Sequence, residues 1–281
     1  MAGSRHPNSR SNSFKTGTAM KIDLKGRTIL LTGATRGIGR KMTDQLVARG
    51  AKVLAIARDD KALCALEACH PGRVFGLAAD LGQPGMARAV ANWTADQHPE
   101  CSVLINNAAV MHQGMIRDLN EGQISDEVTI NLTAAITLTR LMLPTLERHP
   151  TPAIVNVTSG LAIAPLGNAA VYCATKAGLR HFTKVLRHQK RRDPMLVSEA
   201  IMTLVDTSLS QGAPENKMPA DKAAAAILSG LQRGKAEIWV GKTKLLRVIW
   251  RVSPAIADRI MLEEGDPSRR RVRKSALAIA A

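Results

Sequence analysis

Aromatic side chains are scarce in this chain of 281 residues, which has three Phe, three Trp and a single Tyr. A core must therefore be built from Ala, Val, Ile, Leu and Met. These suffice, because 45% of the residues are apolar. That content excludes a disordered chain, and the length suits one large α/β domain or two small ones. The four cysteines, Cys64, Cys69, Cys101 and Cys173, are scattered. None forms a Cys-x-x-Cys pair and no His lies at zinc-ligand spacing from two of them, so no metal site is expected. Single thiols of this kind point to a reducing compartment, the cytoplasm. No uninterrupted apolar run reaches the roughly 18 residues of a membrane span. No charged-then-apolar signal peptide opens the chain.

Acids are missing most at the two ends. Lys and Arg total 39 against 23 Asp and Glu, a net charge of +16. Residues 1–22 hold Arg5, Arg10, Lys15 and Lys21 with no acid; residues 265–281 hold Arg269, Arg270, Arg271, Arg273 and Lys274 against Asp266. Half of the excess lies in these ends, which leaves a moderately basic body. We read 1–21 as a disordered basic tail, 22–264 as one domain and 265–281 as a second tail. Met20 directly precedes the first structured residues and reads as an alternative start.

Within the body, short apolar runs alternate with helical periods. Strands are expected at Arg27–Thr32, Lys52–Ala57, Arg73–Ala79, Ser102–Asn106, Ala153–Val157, Leu196–Leu204 and Glu237–Val240. Helices are expected at Gly37–Arg49, Lys61–Ala68, Gly85–Gln97, about Ser125–Arg148, Ala169–Arg192 and Asp221–Arg233. Strands apolar throughout, each followed by a helix, imply a parallel sheet covered on both faces. Right-handed crossovers then give an α/β, doubly wound, Rossmann-like fold of about seven strands. Lys242–Glu264 reads as two short basic helices divided at Pro254, capping the substrate side or forming a subunit contact. A membrane-surface helix is the alternative for this stretch.

Thr32-Gly33-Ala34-Thr35-Arg36-Gly37-Ile38-Gly39 joins the first strand to the first helix. Alone, such a run is a tight turn. On a strand–turn–helix it lets backbone approach a pyrophosphate at a helix N-terminus. An acid after the second strand would bind the ribose hydroxyls of NAD, but this chain has Ala57-Arg58 there. Arg36 and Arg58 together suit a 2′-phosphate and favour NADP(H) over NAD(H). Asp59 and Asp60 are the counter-indication.

Tyr172 and Lys176 stand four residues apart on an expected helix, so they share a face. A free phenol titrates near pH 10 and is a poor acid or base at neutrality. A nearby ammonium is expected to lower that value and make Tyr172 a proton carrier. Ser159 ends the run Ile154–Ser159, where its hydroxyl can serve either a reacting oxygen or a cap. Arg180, Lys184, Arg187 and Arg191 form a basic stripe further along, read as a solvated face or subunit rim. No aromatic residues interleave there for base stacking, so nucleic acid is not the expected partner.

These motifs, in this order, resemble the short-chain dehydrogenase/reductase family over roughly residues 22–207. Thr32–Gly39, Asp80-Leu81, Asn106-Asn107-Ala108, Asn131, Ser159, Tyr172 and Lys176 all match. The chain resembles in particular the subgroup of oxidoreductases encoded beside lipoteichoic-acid D-alanylation genes, through Val155–Gly160, Tyr172–Ala177 and Leu204–Thr207. The resemblance implies that Asn131 holds a water in a proton relay and Ser159 orients the carbonyl or alcohol. It makes Tyr172 the general acid/base, and Lys176 the partner of the nicotinamide ribose. Asp80 and Leu81 would border the adenine. Asn107 and Ala108 would support the cofactor pocket that Gly33, Thr35, Arg36, Gly37, Ile38 and Gly39 open. Thr207 would reach the carboxamide, although Met202-Thr203 replaces the Pro-Pro usual before it.

The resulting expectation is an NADP(H)-dependent enzyme that interconverts a carbonyl and an alcohol, working as a homodimer or homotetramer on a small molecule. Its substrate pocket would draw on Val110–Met115, Gly160–Gly167 and Ser208–Pro219. The alternatives are a non-catalytic dinucleotide-binding sensor or scaffold, and an anionic-surface binder working through the basic tails.

Overall fold

Apolar runs and amphipathic stretches alternate from Thr28 onward, and each apolar run becomes a strand. The computed structural model describes residues 20–210 and 217–264. Residues 1–19 of the tail expected at 1–21, the tail expected at 265–281 and part of the Ser208–Pro219 wall lie outside the described residues, whereas Met20 and Lys21 of the first tail are described. The strands are β1 (Thr28–Thr32), β2 (Lys52–Ala57), β3 (Val74–Ala78), β4 (Cys101–Asn106), β5 (Ala153–Ser159), β6 (Leu196–Met202) and β7 (Glu237–Trp239). All pair in parallel in the order β3-β2-β1-β4-β5-β6-β7. The order reverses between β1 and β4. At that point the chain leaves the sheet in opposite directions and opens a crevice at the strands' carboxyl ends.

The helices are α1 (Gly37–Ala48), α2 (Asp60–Cys69), α3 (Met86–Gln97), α4 (Glu121–Val128), α5 (Ala134–Leu146), α6 (Ala170–Gln189), α7 (Ala220–Gln232), α8 (Thr243–Val252) and α9 (Pro254–Glu264). Alternate strand residues face opposite layers. Ile29 and Leu31 of β1 pack with Met42 and Leu46 of α1 and Ile227 and Leu231 of α7. Leu30 between them packs with Val90 of α3, Leu138 and Met142 of α5, and Leu186 of α6. Each such buried side chain contributes roughly 1.5–3 kcal/mol by leaving water. At the start of the body, Met20 packs against the first layer and the Ile22 N–H donates to the Gln232 carbonyl at 3.1 Å.

The single helix expected at Ser125–Arg148 is three segments. α4 begins earlier because Asn120 and Gln123 form a capping box, each side chain bonding the other's backbone N–H. A widened π turn at Thr129–Thr133 then leads into α5. The strand expected to reach Leu204 stops at Met202, and β5 runs on to Ser159. α9 is not basic. It carries Asp258, Glu263 and Glu264 against Arg259.

Two buried polar groups fix α6 over the sheet. Asn106 donates at 2.8 Å to Asn156, its register partner on β5, and Asn156 donates at 2.9 Å to Thr183 of α6. Glu199 of β6 is fully buried; its two carboxylate oxygens accept from Arg180 Nη1 at 2.7 and 2.8 Å, and Oε1 also accepts from the Thr158 hydroxyl at 2.7 Å. The solvated-stripe reading therefore fails for Arg180. It fails in part for Arg187, whose guanidinium donates to the Val197 and Ala236 carbonyls. A charged residue in the middle of an apolar strand needs an opposite charge, and α6 supplies it.

Candidate active site

The glycine loop takes its shape from close backbone contacts. Gly33 and Gly37 have φ of +67° and +50°, a region that side chains disfavour. A Cβ on Gly39 would press into the Gly33 carbonyl and come within 2.8 Å of Asn107 Nδ2. Asn107 braces the turn from β4, its amide donating to the Thr32 carbonyl at 2.9 Å and the Gly33 carbonyl at 3.3 Å. The Thr32 hydroxyl accepts the N–H groups of Asn107 and Ala108 at 2.9 and 3.0 Å. The first turn of α1 carries no acid, and no side chain caps its N–H groups. A glycine cradle beside an uncapped helix start fits an anion such as a pyrophosphate.

This cradle lines a cleft of about 990 Å³, large enough for a dinucleotide and a small substrate. Gly33, Thr35, Arg36, Gly37, Ile38, Gly39, Arg58, Asp80, Leu81, Asn107, Ala108 and Thr207 all line it. Arg36 and Arg58 are exposed, and Arg58 directly follows the last residue of β2. Asp59 is occupied as the N-cap of α2, accepting the Ala62 N–H at 3.0 Å. Asp80 accepts the Gly82 N–H at 3.0 Å, which holds the turn after β3. The Thr207 methyl abuts Gly37, where a Cβ would approach it to 2.9 Å.

Ser159, Tyr172 and Lys176 line the same cleft. β5 delivers Ser159, whose hydroxyl accepts the Leu161 N–H at 3.1 Å. Lys176 lies one turn below Tyr172 on α6, its Nζ donating at 3.0 Å to the Val157 carbonyl. Both side chains are buried. Burial pushes the Lys176 ammonium down to about 8. Burial also pushes the Tyr172 phenol above its ordinary value of 10, with Cys173 adding and the Ser159 hydrogen bond opposing. The expected lowering by Lys176 is therefore reversed in the free protein. Losing water costs the phenolate more than the Ser159 hydroxyl returns, and the Lys176 ammonium stands 5.6 Å from the ring centre.

Asn131 stands behind the cleft. It is buried in the π turn and clamps the loop after β4, accepting the Val110 N–H and donating to the Val110 carbonyl, both at 2.8 Å. Its amide also reaches Thr175, the neighbour of Lys176, at 3.3 Å. Val110, Met111, His112 and Gln113 of that loop face the cleft, as do Gly160, Leu161, Leu166, Ser208 and Leu209. Cys173 turns its thiol to the Leu166 backbone. The sequence reading did not single out Glu127 or His112. Glu127 is fully buried in α4 and accepts the His112 N–H, and burial raises its pKa. Leu246 of α8 and Met261 of α9 also line the cleft, so the C-terminal helices form part of its wall.

Residues 27–218 match the short chain dehydrogenase family. The chain belongs to the short-chain dehydrogenases. The uncharacterized oxidoreductase DltE of Bacillus subtilis (strain 168) is 32% identical over 234 residues, covering 80% of this chain and 92% of that protein. That relative fits the subgroup resemblance read from the sequence. A short-chain dehydrogenase from Burkholderia cenocepacia J2315 in complex with NADP superimposes with a TM-score of 0.78. It is 24% identical and covers 86% of this chain and 99% of its own. A short-chain dehydrogenase/reductase from Burkholderia phymatum in complex with NAD gives 0.74 at 19% identity, covering 82% and 94%. This short-chain dehydrogenase is thus an oxidoreductase of the family with the family's fold. No helix among its described residues is long and apolar enough to cross a membrane.

Proposed function

We propose that the protein is an NADP(H)-dependent oxidoreductase that interconverts a carbonyl and an alcohol, with Tyr172 as general acid/base. The observation that carries this reading is the gathering of Ser159, Tyr172 and the Lys176 ammonium, 5.6 Å from the centre of the phenol ring, in the same cleft as the glycine cradle. NADP(H), when bound, supplies or accepts the hydride at the substrate carbon. Gly33, Thr35, Arg36, Gly37, Ile38 and Gly39 would hold its pyrophosphate, and Arg36 and Arg58 its 2′-phosphate. Asp80 and Leu81 would flank the adenine, with Asn107, Ala108, Lys176 and Thr207 serving the nicotinamide half.

In the reducing direction, Ser159 orients the substrate oxygen and Tyr172 gives it a proton. In the oxidising direction, Tyr172 takes that proton back. A phenol held above its ordinary pKa stays protonated at neutrality, which suits the donating role. Lys176 is the cation closest to the phenolate that proton loss leaves. Asn131 acts as a positioning residue through Val110, and the relay water implied by the family belongs beside it. Met111, Leu161, Leu166, Leu209, Leu246 and Met261 favour an apolar substrate. A homodimer or homotetramer remains the family's implication.

NADPH oxidation against a panel of ketones and aldehydes tests the reaction. Tyr172→Phe should keep NADPH affinity and lose roughly 100-fold or more of turnover. A near-normal rate in that variant would sink the role of Tyr172. For cofactor choice, Arg36→Ala with Arg58→Ala should weaken NADPH at least about tenfold relative to NADH in a fluorescence titration. Tighter wild-type binding of NADH would overturn the preference.

A further inference from the structure

Most of the exposed apolar surface is gathered in one place. Twelve large apolar side chains are exposed among the described residues, and seven of them fall between Leu245 and Leu262. Scattered exposed apolar residues need no explanation, but a contiguous patch marks an interaction surface. α8 and α9 are held to the body by a few inward groups. Leu246 lies against Gly160, the Thr243 hydroxyl donates to the Val240 carbonyl at 2.8 Å, and Ala257 is buried. The outward side of the same helices carries Leu245 at 62% exposure, Val248 at 57%, Val252 at 82%, Ile256 at 55% and Ile260 at 53%.

Charge decides what covers this face. Leu245, Val248 and Val252 follow one another at helical spacing and form one stripe along α8. Lys244, Arg247 and Arg251 follow at the same spacing one residue earlier and form a second, adjacent stripe. All three bases are exposed, Lys242 adds a fourth, and no acid lies between Lys242 and Val252. On α9 the exposed Arg259 pairs with Glu263 at 3.1 Å, and three acids stand against that one base, so the basic charge of this face rests on α8 alone. An apolar stripe beside a basic stripe matches the boundary between acyl chains and anionic headgroups. A second copy meeting α8 on α8 about a two-fold axis would set the basic stripe against itself.

We propose that α8 and α9 dock the protein on an anionic lipid bilayer, with Leu245, Val248, Val252, Ile256 and Ile260 inserted at the acyl boundary and Lys244 and Arg251 at the headgroups. The sequence reading ranked this behind a substrate cap or a subunit contact. The structure gives the helices two working sides, one on the cleft and one facing outward. Delivery of a bilayer-borne apolar substrate to the cleft would rest on the proposed reaction, but docking itself does not.

The test is co-sedimentation of the full chain with vesicles of phosphatidylglycerol and phosphatidylcholine, compared with phosphatidylcholine alone. Light scattering and thermal melts are run in parallel. The wild type should prefer the anionic vesicles at least about tenfold, and less so in high salt. Val248→Glu with Val252→Glu, and separately Lys244→Glu with Arg251→Glu, should each lose about tenfold or more of that binding while melting and mass stay unchanged. These residues are exposed, so folding should survive. Absence of wild-type binding would overturn the proposal. So would unchanged binding by both variants, which would assign the effect to the basic ends. A loss of binding that accompanies dissociation of an oligomer would also overturn it, assigning the face to a second copy.

Discussion

Lys176 Nζ lies 5.6 Å from the centre of the Tyr172 ring and donates at 3.0 Å to the Val157 carbonyl. The helix places the pair one turn apart, and the end of β5 supplies the acceptor. The ammonium is thereby fixed beneath the phenol at the cost of its hydration. Its pKa falls from 10.5 to about 8 for that reason. Between those values the unfolded chain holds a proton that the folded chain has released, so stability rises with pH across the window. Urea unfolding at the two ends of the window should show the wild type gaining on the order of 3 kcal/mol relative to Lys176→Met, a difference in which the opposing effect of the raised Cys101 and Cys173 thiols cancels. An equal change in both proteins would contradict the assignment.

Glu127 has the opposite sign. Burial raises its carboxyl above the ordinary 4.5, against the lowering effect of the His112 N–H. The unfolded chain then releases its proton first, and stability falls as pH rises from 4.5 towards the folded-state value. Glu127→Gln keeps an acceptor for His112 and removes the titration. Its unfolding free energy should be flatter than the wild type's across that range, as measured by urea titration at several pH values.

Arg180 and Glu199 form a buried pair that also holds the Thr158 hydroxyl, one residue before Ser159. Glu199→Ala leaves a buried guanidinium without its main counter-charge and should cost about 3–5 kcal/mol. Arg180→Met combined with Glu199→Leu should recover most of that loss, because an apolar pair leaves no buried charge. Thermal or urea denaturation of the two variants decides the matter. A small effect of Glu199→Ala alone would mean that water reaches the site.

Gly39→Ala puts a methyl group against the Gly33 carbonyl and the Asn107 amide. The methyl meets backbone rather than a flexible side chain, so the loop itself must move. NADPH affinity should drop about tenfold or more, with a stability loss of about 1–3 kcal/mol. Fluorescence titration and thermal melting separate the two effects. Unchanged affinity would show that the cradle does not depend on this contact.

Much of the site was legible because its signals are local. Gly33, Gly37 and Gly39 lie on one turn, and Tyr172 and Lys176 on one helix face. All of the expected cofactor residues line a single cleft, together with Ser159. Asn131 is the exception. Its amide is taken up by Val110, and a turn widened by one residue was not readable from periodicity. The start of α4 was readable, since Asn120 and Gln123 spell a capping box, but the apolar period drew attention further along. Glu199 was also open to reading, as a lone charge within an apolar strand.

The amino-acid order alone determined the alternation of strand and helix, the glycine turn and the one-turn spacing of phenol and ammonium. Each depends on backbone preference and side-chain period over a few consecutive residues. Tertiary packing decided that Arg180 is buried on Glu199, that the Tyr172 phenol is raised rather than lowered, and that Leu246 and Met261 reach the cleft. Those outcomes depend on which distant segments the crossovers bring together and on how much water the contact expels, and neither quantity is written in any short stretch of chain.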